Sequence, residues 1–148
     1  GVTVITVARA AGAVHGMTAN AFSSVSLEPP LVLVCVDHAS DTHPLLRAAR
    51  RFGVSVLRED QQAVARYFAE EEKSQQGAEQ LGIRYRTTAR GTPLLDAALA
   101  QLDCALVSAY EAGDHTIFIG EVEEAAVASA APLLFYGGDY RRLNEEGP

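Results

Sequence analysis

The segment from His15 to Asp37, HGMTANAFSSVSLEPPLVLVCVD, constrains the fold of this chain more than any other stretch. A run of small and polar residues, Met17-Thr18-Ala19-Asn20-Ala21, leads through a Glu28-Pro29-Pro30 corner into an unbroken apolar run from Leu31 to Val36. Small side chains let a planar ligand approach the main chain closely, and a stiff strand beside them holds hydrogen-bond donors still. The apolar run suits a strand buried on both faces.

The rest of the chain reads as strands broken by short helices. Val2 to Val7 alternates β-branched residues, and Ala11-Gly12 is the turn into the next strand. Ser40-Asp41-Thr42-His43-Pro44 offers N-cap residues with a proline near the first turn of a helix running from Leu45 to Arg51. Gly53 to Leu57 is another strand. Asp60 caps a second helix through Ala69, with Ala63, Tyr67 and Phe68 on its buried side. Glu70 to Gln80 is polar, as in a mobile connection or a frayed helix end. Leu94 to Tyr110 fits either a helix or, at Cys104 to Ser108, a strand. His115 to Val122 follows an Ala112-Gly113-Asp114 turn as the clearest late strand, and Pro132 to Tyr136 adds one more. Six or more strands without regular strand–helix alternation favour a closed or half-closed β-barrel over a parallel sheet.

Length and charge narrow the function. A chain of 148 residues is expected to form one domain spanning 1–148 with a core large enough to need no disulfide or metal. It opens on Gly1 inside an apolar alternation, so residues are expected to precede it in the natural protein. The net charge of −7 argues against nucleic-acid binding, which needs clustered cations. No apolar run approaches the roughly 18 residues of a membrane span, and two distant cysteines without a signal peptide point to a cytoplasmic protein. Cys35 and Cys104 sit in apolar, strand-like settings and read as small buried hydrophobes. Dinucleotide-binding G-x-G-x-x-G, P-loop and G-x-S-x-G motifs are all missing. His15, His38, His43 and His115 lack the i, i+4 spacing of a zinc helix, so no metal site is expected.

Five motifs occur in order: Met17-Thr18-Ala19-Asn20-Ala21, Ser26-Leu27-Glu28-Pro29-Pro30, Cys35-Val36-Asp37 with Ser40 and Thr42, Arg66-Tyr67-Phe68-Ala69, and Gly113-Asp114-His115-Thr116. Together they resemble the short-chain flavin reductases, the reductase components of two-component flavin monooxygenases, from Gly1 to about Leu143. The resemblance implies a mostly β fold with short helices, a six-stranded split β-barrel of the FMN-binding type. It implies a homodimer with flavin near the subunit interface, and hydride transfer from NADH or NADPH to free FAD or FMN. The reduced flavin then leaves for a partner flavin-dependent monooxygenase. By resemblance, Thr18, Ala19, Asn20, Ala21, Val34, Cys35 and Val36 line the ring and ribityl chain, and Phe68 and Ala69 border the same flavin. Ser40 and Thr42 serve both as helix caps and as a phosphate site at a helix N-terminus. Asn20 either bonds the flavin edge or closes a turn, and Arg66 is a phosphate partner or a surface charge. His115, beside Asp114, is assigned to nicotinamide binding or proton supply. Two departures stand out: Ala21 replaces a frequent serine, and Gln101 a frequent aromatic. The same barrel also hosts flavin-binding proteins without turnover and pyridoxamine-phosphate oxidases, and fold alone does not separate these.

Overall fold

The computed structural model describes residues 1–143. Its main strands are β1 (Thr3–Ala8), β2 (Val14–Ala19), β3 (Phe22–Leu27), β4 (Pro30–Asp37), β5 (Arg51–Val56), β8 (Ala100–Ala112) and β9 (His115–Val127). The short strands β6 (Tyr85–Thr87) and β7 (Pro93–Leu95), and likewise β10 (Leu134–Tyr136) and β11 (Asp139–Arg141), pair with each other. Three short helices intervene: α1 (Thr42–Ala49), α2 (Gln62–Ala69) and α3 (Gln75–Gln80).

The seven main strands form one antiparallel sheet in the order β2-β1-β5-β8-β9-β4-β3. Only Asn20 and Ala21 separate β2 from β3, yet these strands are the two edges. A flat sheet of this width would hold its edges about 29 Å apart at ~4.8 Å per strand. The link from Ala19 to Phe22 spans at most about 11 Å. The sheet must therefore curl until its edges almost meet, and since β2 and β3 do not pair, the barrel stays split. This is the mostly β split barrel expected from the sequence. Its sheet carries seven strands where six were expected, because the residues flanking Asn20 form separate edge strands.

Curling makes two cores. One gathers Ile5, Val7, Val34, Val36, Phe52, Val54 and Phe118 and is closed by Leu46 of α1. The other packs Val2, Val4, Leu57, Leu95 and Leu133 under Ala65 and Phe68 of α2. β1 is buried on both faces because it faces both cores.

Several local expectations shift. β4 is fully buried on one face only: Val32, Val34 and Val36 point inward, whereas Leu31, Leu33 and Cys35 are half-buried. α1 ends at Ala49 because Arg50 adopts a left-handed φ of 58°, so Arg51 begins β5. Asp60 does not cap α2; its carboxylate pairs with Arg58 and Gln61 takes the N-cap position. With that start, Ala65 and Phe68 face inward and Ala63 is exposed. Part of the polar Glu70–Gln80 stretch is helical, since Ser74 Oγ accepts from Gly77 N at 3.0 Å and caps α3. The ambiguous Leu94–Tyr110 stretch divides into β7 and β8, broken at Ala97 with φ of 59°.

Candidate functional site

A cleft of about 550 Å³ opens where three segments converge: β2, the exit of β4 with the start of α1, and the chain after α2. Such a volume lies within the usual range for small-molecule sites. From β2 come His15, Met17 and Thr18; from the β4–α1 turn come Asp37, Ala39, Ser40, Asp41 and Thr42. Phe68, Ala69, Glu70, Glu71 and Lys73 close the third side.

Hydrogen bonds hold these segments in register. Thr18 Oγ1 donates to the Ala65 carbonyl at 2.6 Å, fixing β2 against α2. His15 Nε2 lies 2.7 Å from Thr42 Oγ1, fixing β2 against α1. Asp41 holds the N-cap position of α1 without a side-chain cap, and Ser40 Oγ, one residue earlier, accepts from Thr42 N at 3.1 Å. A Cβ on Gly16 would fall 2.5 Å from the Phe68 ring, so glycine lets that aromatic pack directly against β2. Small residues, Thr18, Ala39, Ser40 and Ala69, line much of the cleft and leave room for a ligand.

The charges around the cleft are mixed. Asp37, Asp41, Glu70 and Glu71 oppose Lys73, the only lysine in the chain. Burial pulls the Lys73 ammonium below its ordinary value, while Asp41 and Glu70 push it back up. Burial likewise lowers His15, helped by Lys73 and Arg9, which favours the neutral ring that bonds Thr42. An anion entering here meets Lys73 and the N-terminal amides of α1 despite the acidic chain.

Of the sequence-assigned binding residues, Thr18, Ser40, Thr42, Phe68 and Ala69 share this cleft. Thr42 is only 1% exposed and its hydroxyl contacts His15 and Met17, whereas Ser40, whose hydroxyl contacts Met17 and Thr42 N, is half-buried and the more accessible of the two. Ala19, Asn20, Ala21, Val34, Cys35 and Val36 do not line the cleft itself. Ala19 to Ala21 continue β2 past Thr18 and reach β4, where Cys35 N donates to the Ala21 carbonyl at 3.1 Å. Val34 and Val36 turn fully inward because side chains alternate along β4. Arg66 lies outside the cleft, its guanidinium 5.8 Å from the Tyr140 ring centroid. The composition motifs missed His15, Asp41 and Lys73; the position of His15 immediately before Gly16-Met17 was the one available signal.

Asp114 and His115 occupy the turn between β8 and β9. His115 stands directly opposite Asp37 in the β4–β9 ladder, so its side chain shares the sheet face of a cleft residue, one strand away. Its Nδ1 lies 2.7 Å from Asp114 Oδ1. The hydrogen bond from His115 holds the Asp114 carboxyl below its ordinary range. An ionised Asp114 accepting from Nδ1–H leaves Nε2 pointing outward, able to bond a ligand. The same outer face carries Leu33, Cys35, Ile117, Ile119 and Tyr110, an apolar strip that a single chain leaves half-covered or exposed.

The chain is similar to known flavin reductases in sequence and fold. An NADH-dependent flavin reductase of Rhodococcus sp. is 42% identical over 146 residues, 97% of this chain and 79% of that protein. The reductase subunit HsaB of a flavin-dependent monooxygenase from Mycobacterium tuberculosis is 37% identical, covering 99% of this chain and 77% of its own. The solved NADH:FAD oxidoreductase of Streptomyces globisporus C-1027, in complex with NAD and FAD fragments, superposes with a TM-score of 0.89 at 42% identity. That match covers 100% of this chain and 87% of the other. The flavin reductase like domain matches residues 1–144. With that match over nearly its whole length, this chain belongs to the flavin reductase like domain family.

Proposed function

We propose that this chain is an NADH-dependent flavin reductase that passes hydride to free FAD or FMN and supplies reduced flavin to a separate monooxygenase. The observation that carries the reading is the convergence of the β2 motif, the N-terminus of α1 and Phe68 on one cleft, beside which His115 stands across from Asp37. Bound there, the flavin supplies the hydride-accepting chemistry. The residues supply position: Thr18, Phe68 and Ala69 border the ring, and Ala19 to Ala21 extend the seat towards Cys35. Ser40, the α1 amides and Lys73 take the phosphate, with Thr42 holding the helix start in place. His115, oriented by Asp114, contacts the nicotinamide or supplies a proton at its free Nε2. NADPH remains the alternative donor.

The half-covered apolar strip on β4, β8 and β9 supports a homodimer, since exposed contiguous apolar surface marks a protein contact. Among the described residues no helix is long and apolar enough to cross a membrane, which supports a cytoplasmic enzyme. The test is anaerobic addition of NADH and FAD to the purified protein. Catalytic bleaching near about 450 nm, with flavin exchanging at roughly micromolar affinity, is the expected result. A tightly held flavin that NADH does not reduce would instead make the protein a flavin carrier, and turnover of pyridoxamine phosphate would place it among the oxidases.

A further inference from the structure

Three segments aim polar side chains at a hydroxyl carried by a fourth, beside the ribbon tip. His38 leaves β4, His43 lies in the first turn of α1, Glu111 is near the end of β8 and Thr116 opens β9. Thr116 Oγ1 is 3.0 Å from His38 Nε2, 2.8 Å from His43 Nε2, and 3.2 and 3.3 Å from the two Glu111 oxygens. A hydroxyl has one proton and two lone pairs, so it serves at most three of these four contacts. His38 Nε2 is also 2.7 Å from Glu111 Oε2. One ligand atom from each of His38, His43 and Glu111 lies within 4.8 Å of the others.

We infer that His38, His43 and Glu111 form a binding site for a divalent metal ion of the zinc class, which replaces the Thr116 hydroxyl as the common partner of their donor atoms. Two imidazoles and one carboxylate are a donor set that zinc takes at about 2.0–2.2 Å per bond, with donors roughly 3.4 Å apart in a tetrahedron. His38 Nε2 and Glu111 Oε2 must separate from 2.7 Å to reach that spacing, and their side chains, 38% and 60% exposed, are free to rotate. Arg47 is the competitor. It pairs with Glu111, while its guanidinium lies 5.7 Å from the Phe118 ring centroid, and it swings away from the carboxylate as the metal enters. A fourth position remains open to solvent. The i, i+5 spacing of the two histidines hides the site from the sequence, because the third ligand arrives only through the β4–β9–β8 pairing.

Zinc sulfate added to the purified chain, followed by desalting and metal counting, tests this without flavin or nicotinamide. One zinc per chain is expected, with a Tm raised by a few degrees and restored by EDTA. His43→Gln and Glu111→Gln should each lose the retained zinc and the Tm shift, whereas Cys35→Ser should keep both. Absence of retained zinc in the wild-type chain overturns the inference, as does retention in both site variants or loss in Cys35→Ser.

Discussion

The two ends of the β8–β9 ribbon use the same residue types for opposite purposes. At the base, Asp103 is fully buried: Arg51 donates to it at 2.8 Å and Thr88 at 2.9 Å. Arg51 also reaches Glu123 at 2.8 Å, and Arg90 pairs with Glu123 at 2.9 Å. At the tip, Glu111 and Asp114 are exposed and each pairs with a histidine. A buried carboxylate must have every lone pair satisfied or the fold suffers. An exposed one is released into water at little cost, so its partner stays free to bind something else. Burial decides which end serves the fold and which serves chemistry.

The largest effect should come from the base. Asp103→Ala leaves Arg51 without its buried partner and is expected to cost about 3–5 kcal/mol in urea unfolding. A loss below about 1 kcal/mol would erase the distinction between the two ends. The same site sets a pH window. Burial alone would push the Asp103 carboxyl up, but hydrogen bonds from Thr92, Arg51 and Thr88 more than reverse this, and its value lies below the ordinary 3.8. Its contribution is whole above the unfolded value and is lost as pH falls through the folded one. Wild type should therefore lose stability below about pH 4, and Asp103→Asn should lack that component in an acid titration.

At the tip the readout moves from stability to turnover. His115→Ala is expected to lower kcat/KM for NADH by about tenfold, the worth of one hydrogen bond, with the Tm and flavin affinity unchanged. Wild-type steady-state constants in this variant would remove His115 from the site. Smallest of all, Glu111→Gln in metal-free buffer should leave the Tm where it was, because its charged partners His38 and Arg47 are exposed and the amide oxygen still accepts from the buried Thr116 hydroxyl. A clear drop in Tm would show the tip to be structural after all.

Much of this was legible in residue order. Val2 to Val7, Leu31 to Val36 and His115 to Val122 are strands because β-branched and apolar residues leave little else for them to be. Thr18, Ser40, Phe68 and Ala69 were found because motifs mark them, and they do share a cleft. Lys73 was hidden in a polar stretch that reads as linker; only the return of the chain after α2 places it opposite Ser40. The assignment of Val34 and Val36 as ring-lining residues weakened for a related reason. Alternation along β4 sends both side chains into the core, and their backbone pairs with β9.

Taken alone, the order of residues determined the clearest strands and the short motifs that mark the family, since each depends on neighbours within a few positions, but not the start of α2, where Asp60 pairs with Arg58 instead of capping. Which edges meet, which face of β4 stays half-covered, and how His15 reaches Thr42 or His38 reaches Glu111 were settled only when the sheet curled. Those pairs are distant along the chain, and the short Asn20-Ala21 link forces the closure that unites the cleft residues.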